Sequence, residues 1–166
     1  MPCTPAWCKI RDHFGPGVLF ADGSIDRQAL ADIVFGDPAK LALLNEITHP
    51  AIFERIADRL EAAHDRDVIV VLDAALLIET GLAQRVDVLV VTQSPKEVQV
   101  QRLAAKGMAA DQAKARIAAQ LSPEARLARA DLVIDNSGSL EGLGRQVDEV
   151  WRELERRLAE QRGRAG

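Results

Sequence analysis

Two carboxylates, Asp73 and Glu79, lie in the stretch that follows the apolar run Val68-Ile69-Val70-Val71-Leu72. Such a run, too short for a helix and apolar on both faces, reads as a buried parallel strand. The loop leaving the carboxyl end of a strand of this kind is where open α/β sheets bind ligands. The pair could mark a binding site, although a solvated loop also explains two carboxylates. The second chemical signal is charge. Residues 102–129 carry Arg102, Lys106, Lys114, Arg116, Arg126 and Arg129 against Asp111 and Glu124, a local charge of +4 in a chain whose formal total is −4. A positive helical flap suits the clamping of polyphosphate during transfer. A solvated helical face looks the same. His13, His49 and His64 are scattered, and Cys3 and Cys8 have no histidine pair at metal-ligand spacing, so no metal site is expected.

Several familiar devices are missing from these residues. A phosphate-binding loop of the Gly-x-x-x-x-Gly-Lys-Ser/Thr type cups phosphates in consecutive backbone N–H groups while its lysine reaches the terminal oxygens. Lys9, Lys40, Lys96, Lys106 and Lys114 follow Cys8, Ala39, Pro95, Ala105 and Ala113, so none follows a glycine. Gly-x-Gly-x-x-Gly, Gly-x-Ser-x-Gly and His-Glu-x-x-His are absent as well.

The elements that must position these residues follow from composition and periodicity. With 166 residues, 48% hydrophobic and 28% charged, the chain has the balance of one globular domain. Aromatic residues are only 4%, so aliphatic helix-on-sheet packing is expected, and a base-stacking platform for single-stranded nucleic acid is not. A net charge of −4 offers no general attraction for nucleic acid or an anionic membrane. Without a signal-like or membrane-length apolar run, and with two cysteines, the expectation is a cytoplasmic protein.

Along the chain, residues 1–25 read as turns punctuated by proline and glycine. A helix is predicted over 26–34, a second up to His49-Pro50, and a third resuming through Ile52, Phe53, Ile56 and Leu60. Strands are predicted at 68–72, 86–91 and 132–134. Ser94-Pro95-Lys96-Glu97 has the form of a capping box opening a helix to about Ala105. Further helices are expected over 111–120, from a Ser122 cap to 129, and from Leu140 to about Arg162. The last carries Leu143, Val147, Val150, Trp151 and Leu154 on one stripe. Strands alternating with helices make an α/β fold with a parallel sheet. Three strands are fewer than the usual five or so.

Taken together, the blocks form a recognisable series. Asp22-Gly23-Ser24-Ile25-Asp26-Arg27, Val34-Phe35, Leu44-Asn45-x-Ile47-x-His49-Pro50 and Leu76-Leu77-Ile78-Glu79 come first. Arg102, Arg116-Ile117-Ala118-Ala119-Gln120 and Ala130 through Gly138 complete it. In order and spacing this series resembles the dephospho-CoA kinases over residues 2–155. The resemblance implies a P-loop NTPase-type three-layer α/β/α parallel sheet with a helical CoA domain and a lid. It implies Mg-ATP as co-substrate, dephospho-CoA as acceptor, and phosphorylation of its ribose 3′-hydroxyl, the last step of coenzyme A synthesis. No permanently bound cofactor is implied.

By the same resemblance, 26–64 is the CoA-binding part, 65–101 with 130–162 the core, and 102–129 the lid, all in one domain over 1–166. Arg102 is the lid-base arginine that meets phosphate. Lys106, Arg116 and Gln120 belong to the lid, and Leu76 and Glu79 to the loop lining the acceptor. Asn136 and Gly138 lie beside the ATP adenine, and Arg27 and His49 in the CoA-domain motifs. Pro2-Cys3-Thr4-Pro5-Ala6 resembles a Pro-Gly-Thr-Pro-Ala stretch that follows the family's first two strands. The chain is therefore expected to begin after the unit bearing the Walker lysine and the catalytic-base aspartate, and to be inactive alone. Ala75 stands where a proline is usual and Lys106 where the lid has an arginine, which leaves open a non-catalytic paralogue or a CoA- or partner-binding module.

Overall fold

A computed structural model describes residues 4–64 and 66–165. It divides into two compact units, residues 1–68 and 69–166. Pro2 and Cys3, which open the resemblance, lie outside the described residues.

The first unit is helical. Residues 5–14 form a helix, α1 (Pro5–Phe14), where turns were expected. The Thr4 hydroxyl accepts the Trp7 N–H at 3.2 Å, and Pro5 occupies a first-turn position that needs no donor. The proline that reads as punctuation is thus a start signal. The helix stops at Gly15, whose φ of 82° favours glycine. The Trp7 indole N–H then donates to the Gly23 carbonyl at 3.0 Å, fixing α1 against the turn that follows. In that turn Asp22 accepts from the Ser24 hydroxyl and amide, which holds its carboxyl below the usual range.

Helix α2 (Arg27–Val34) begins where the sequence places it, because Asp26 accepts the N–H groups of both Gln28 and Ala29 at 3.0 Å. Removing that cap in Asp26→Ala is expected to lower stability by about 1 kcal/mol, read by urea denaturation. A value indistinguishable from wild type would show that the cap is redundant.

Helix α3 (Pro38–Glu61) is continuous, whereas a break at His49-Pro50 was expected. Pro50 withholds only one N–H, the donor that would have served the Glu46 carbonyl. Packing holds the helix together on the N-terminal side, where Ile47 joins Ile10, Val18, Leu30 and Val34 in the core with Leu41 and Leu44 against it. Beyond Pro50 that core does not continue. Ile52 and Leu60 are exposed, Phe53 and Ile56 half-buried.

The second unit holds the sheet. Strands β1 (Val90–Gln93) and β2 (Leu132–Asp135) pair in parallel, Val90 opposite Leu132 and Gln93 opposite Asp135. Three strands were expected and two are present among the described residues. Residues 68–72 form no strand, and Val68, Val70 and Val71 are exposed. A β-branched run becomes a strand only when a neighbouring strand takes its N–H and C=O groups. Among the described residues no strand does, and the Val68 N–H donates instead to the Arg66 carbonyl at 2.9 Å.

The strand predicted at 86–91 begins four residues late. Gly81 (φ 76°) leads into a 3₁₀ turn, Leu82–Arg85, and Asp131 accepts the Leu89 N–H at 2.7 Å, so the ladder opens only at Val90. Leu77, Leu89 and Val91 form the core under this sheet.

Between the strands run α4 (Lys96–Ala105), α5 (Ala110–Ala118) and α6 (Pro123–Leu127). The capping box expected at Ser94 does not form. Pro95 is the cap residue, no side chain caps α4, and the Ser94 carbonyl instead accepts from the Gln99 amide at 2.8 Å. Ser122 does cap α6, accepting the Ala125 N–H at 3.2 Å.

Helix α7 (Leu140–Ala165) is fastened to β2 by Gln146, whose side chain both accepts the Asp135 N–H and donates to the Asp135 carbonyl, each at 2.9 Å. Its apolar stripe is only partly covered, since Val147 and Trp151 remain exposed. On the polar face, hydrogen bonds from Arg156 and Arg157 hold the Glu153 carboxyl down at about 2.

Candidate functional site

The carboxyl ends of β1 and β2 open into a cleft of about 180 Å³ lined by Thr92, Gln93, Ser94, Gln99, Arg126 and Asn136. Its position follows from the fold. Parallel strands end side by side, and the chain must leave the sheet there in two directions. The register sets Gln93 opposite Asp135, and the next residue closes the edge, the Asn136 N–H donating to the Gln93 carbonyl at 2.7 Å. Helix α4 starts at the rim and contributes Gln99. Helix α6 brings Arg126, whose Nη1 donates to the Gln120 Oε1 at 3.3 Å. The Nε of the same guanidinium is buried without a hydrogen-bond partner.

This lining is polar throughout and holds one cation and no carboxylate. Hydroxyl, amide and guanidinium donors converging on one space suit a phosphorylated or heteroaromatic ligand. Nothing in it suits a divalent cation, because hard metals take carboxylate and carbonyl oxygens. Among the described residues no three His, Cys, Asp or Glu side chains gather to hold a metal. The magnesium of a kinase would therefore not be held by these groups.

The residues singled out in the sequence distribute unevenly. Asn136 lines the cleft and Gln120 touches it through Arg126. Gly138 lies two residues beyond Asn136 in the bend before α7, with no atom near enough to obstruct a larger side chain. Glu79 is exposed, and its Oε1 accepts the Leu121 N–H at 2.9 Å, which joins the loop after Leu72 to the segment between α5 and α6. Leu76 is partly exposed, and its carbonyl accepts from the Thr80 amide and hydroxyl. Arg102, Lys106 and Arg116 are exposed at the ends of α4 and α5 and do not line the cleft.

Arg27 and His49 belong to the first unit. Arg27 is the exposed first residue of α2, and His49 is half-buried with its ring 5.5 Å from that of Phe53. Arg126, Thr92, Gln93, Ser94 and Gln99 escaped the sequence reading as site residues. Arg126 stood in the basic stretch, and its only distinguishing mark was the Ser122-Pro123 cap that fixes α6 beside the strand ends.

Comparison with known proteins decides the lineage. The dephospho-CoA kinase (CoaE) family pattern matches residues 1–142. The chain belongs to the dephospho-CoA kinase family. A dephospho-CoA kinase of Thermobifida fusca is 48% identical over 158 residues, covering 95% of this chain and 78% of its own length. One from Streptomyces avermitilis is 46% identical over 154 residues, with 92% and 75% covered. Among solved structures, the dephospho-CoA kinase from Campylobacter jejuni superposes with a TM-score of 0.60 at 26% identity, covering 88% of this chain and 74% of that one.

The dephospho-CoA kinases are transferases, and the α/β class with a parallel sheet expected from the sequence stands on this likeness. No helix among the described residues is long and apolar enough to cross a membrane.

Proposed function

We propose that this chain carries the acceptor and lid parts of an ATP-dependent, cytoplasmic dephospho-CoA kinase acting on the ribose 3′-hydroxyl of dephospho-CoA. The observation that carries this reading is the polar cleft at the carboxyl ends of β1 and β2, with Asn136 at its edge and the Arg126 cation facing it. Phosphoryl transfer needs positioning and charge neutralisation more than covalent chemistry. The residues present supply the second part of that requirement, through Arg102, Arg126 and the neighbouring lid cations. They do not supply a Walker lysine, since none of the five lysines follows a glycine.

These 166 residues alone are accordingly expected to bind Mg-ATP more weakly than micromolar and to catalyse no transfer. Dephospho-CoA is expected to bind weakly, through Arg27 and His49 of the first unit. Titration calorimetry with Mg-ATP and ligand-detected NMR with dephospho-CoA check both halves. Micromolar Mg-ATP binding would contradict the first. Equal dephospho-CoA signals from Arg27→Ala would remove Arg27 from the acceptor site.

A second reading, a non-catalytic CoA-binding module, is favoured by Ala75 and Lys106. Lysine cannot reproduce the bidentate geometry of an arginine in the lid. That module would bind dephospho-CoA and remain unable to transfer phosphate in any context.

A further inference from the structure

Arg126 presents an electrostatic arrangement that the protein's own groups do not complete. Its side chain is half-buried, and the Nε has neither solvent nor a hydrogen-bond partner. Among the described residues its side chain makes one hydrogen bond, from Nη1 to the neutral Gln120 Oε1, at 3.3 Å, long for a charged donor. No carboxylate among the described residues lies within ion-pair distance of it. A guanidinium drawn out of water without an anion is costly. The rest of the lining (Thr92, Gln93, Ser94, Gln99 and Asn136) is neutral, so the cleft keeps a net positive character. An incoming oxyanion would neutralise that charge without displacing any carboxylate.

The guanidinium is also held from outside the cleft. Gln120, which takes the Nη1 bond, precedes Leu121, and the Leu121 N–H donates to the Glu79 carboxylate at 2.9 Å across 42 residues of sequence. Glu79 does not line the cleft. Its carboxylate fixes the backbone at the foot of α6, and that backbone sets where the Gln120 amide meets Arg126.

We propose that Arg126 is the oxyanion-binding residue of this cleft and that Glu79 is its positioning residue, acting through Leu121 and Gln120. This assigns Glu79 to the lid rather than to the acceptor. That the oxyanion is a nucleotide phosphate rests on the kinase reading; the phosphate-binding role itself does not.

The test is NMR of the ¹⁵N-labelled 166-residue chain, following the Arg126 Nε–H resonance during titration with sodium tripolyphosphate, ATP and adenosine. Tripolyphosphate and ATP are expected to move the resonance, and adenosine to leave it in place. Arg126→Lys is expected to weaken tripolyphosphate binding at least about fivefold, because an ammonium cannot present the guanidinium fork. Glu79→Ala is expected to weaken it about threefold to tenfold and to shift the Arg126 signal, as expected for losing one charge-assisted bond. Glu79→Gln, whose amide oxygen still accepts the Leu121 N–H, should recover most of that loss. A merely structural role would lower the melting temperature without moving the Arg126 signal.

Gln120→Leu removes the last link without touching Glu79, and serves if Glu79→Ala does not fold. It too should weaken binding. The assignment of Arg126 is overturned by a resonance indifferent to tripolyphosphate, or by one that responds to adenosine alone. The role of Glu79 is overturned if Glu79→Ala or Gln120→Leu binds tripolyphosphate like the parent chain. A tripolyphosphate response from this chain, together with a well-folded joined protein that transfers no phosphate, would refute the kinase reading and leave this one standing.

Discussion

Arg102→Ala is expected to lower the rate of phosphoryl transfer at least about tenfold once the chain is joined to a phosphate-loop unit, because one transition-state charge contact is worth several kcal/mol. Arg102 sits in the last turn of α4, exposed, and forms no ion pair among the described residues. Its replacement therefore disturbs no internal partner, and the expected loss lies in the rate rather than the fold. A coupled ADP-release assay with dephospho-CoA and Mg-ATP measures the rate, and a thermal melt checks the fold. An active joined protein indifferent to Arg102→Ala would show that the basic stretch after Gln101 is not the phosphate clamp.

What the sequence disclosed and what it concealed divide along the range of the forces involved. Helix α2 was legible from its local periodicity, which puts Ala29, Leu30, Ile33 and Val34 on one face, and α6 because Ser122 caps it locally. Strand β2 was legible from Leu132-Val133-Ile134, a short apolar run bounded by polar residues. Helix α1 was concealed because Pro5 and Gly15, which delimit it, look like loop residues when taken singly. The continuity of α3 through Pro50 was concealed for a different reason. Proline counts against a helix locally, but the flanking turns are held by a core that includes Val18 and Leu30 from other elements.

Residues 68–72 show the limit most plainly. Their composition is that of a strand, yet strand formation depends on a neighbour, and no local pattern reports whether one is present. The site divides in the same way. Asn136, singled out by the family resemblance, lines the cleft. Glu79 was legible as a residue of interest, but its bond to the Leu121 backbone could not be read from a stretch of sequence so far away. Arg126 was one cation in a run of six, and only its burial sets it apart.

The largest expected change is the gain of activity itself. Joined to the strand–phosphate-loop–helix–strand unit of a family member, the chain would acquire the Walker lysine and the base aspartate that its own residues do not include. The run Val68–Leu72, with Val68, Val70 and Val71 exposed, and the edge of β1 would also find strands to pair with, so folding and catalysis should rise together. Ala75→Pro and Lys106→Arg restore the two positions that depart from the family pattern, and they distinguish a chain that lacks a part from one that has lost its chemistry.

The most direct measurement is mass spectrometry of the products when the joined protein is incubated with dephospho-CoA and Mg-ATP. The account predicts coenzyme A and ADP in equal amounts, and neither from the 166-residue chain alone. A well-folded joined protein that leaves dephospho-CoA unphosphorylated, also after Ala75→Pro and Lys106→Arg, would contradict it.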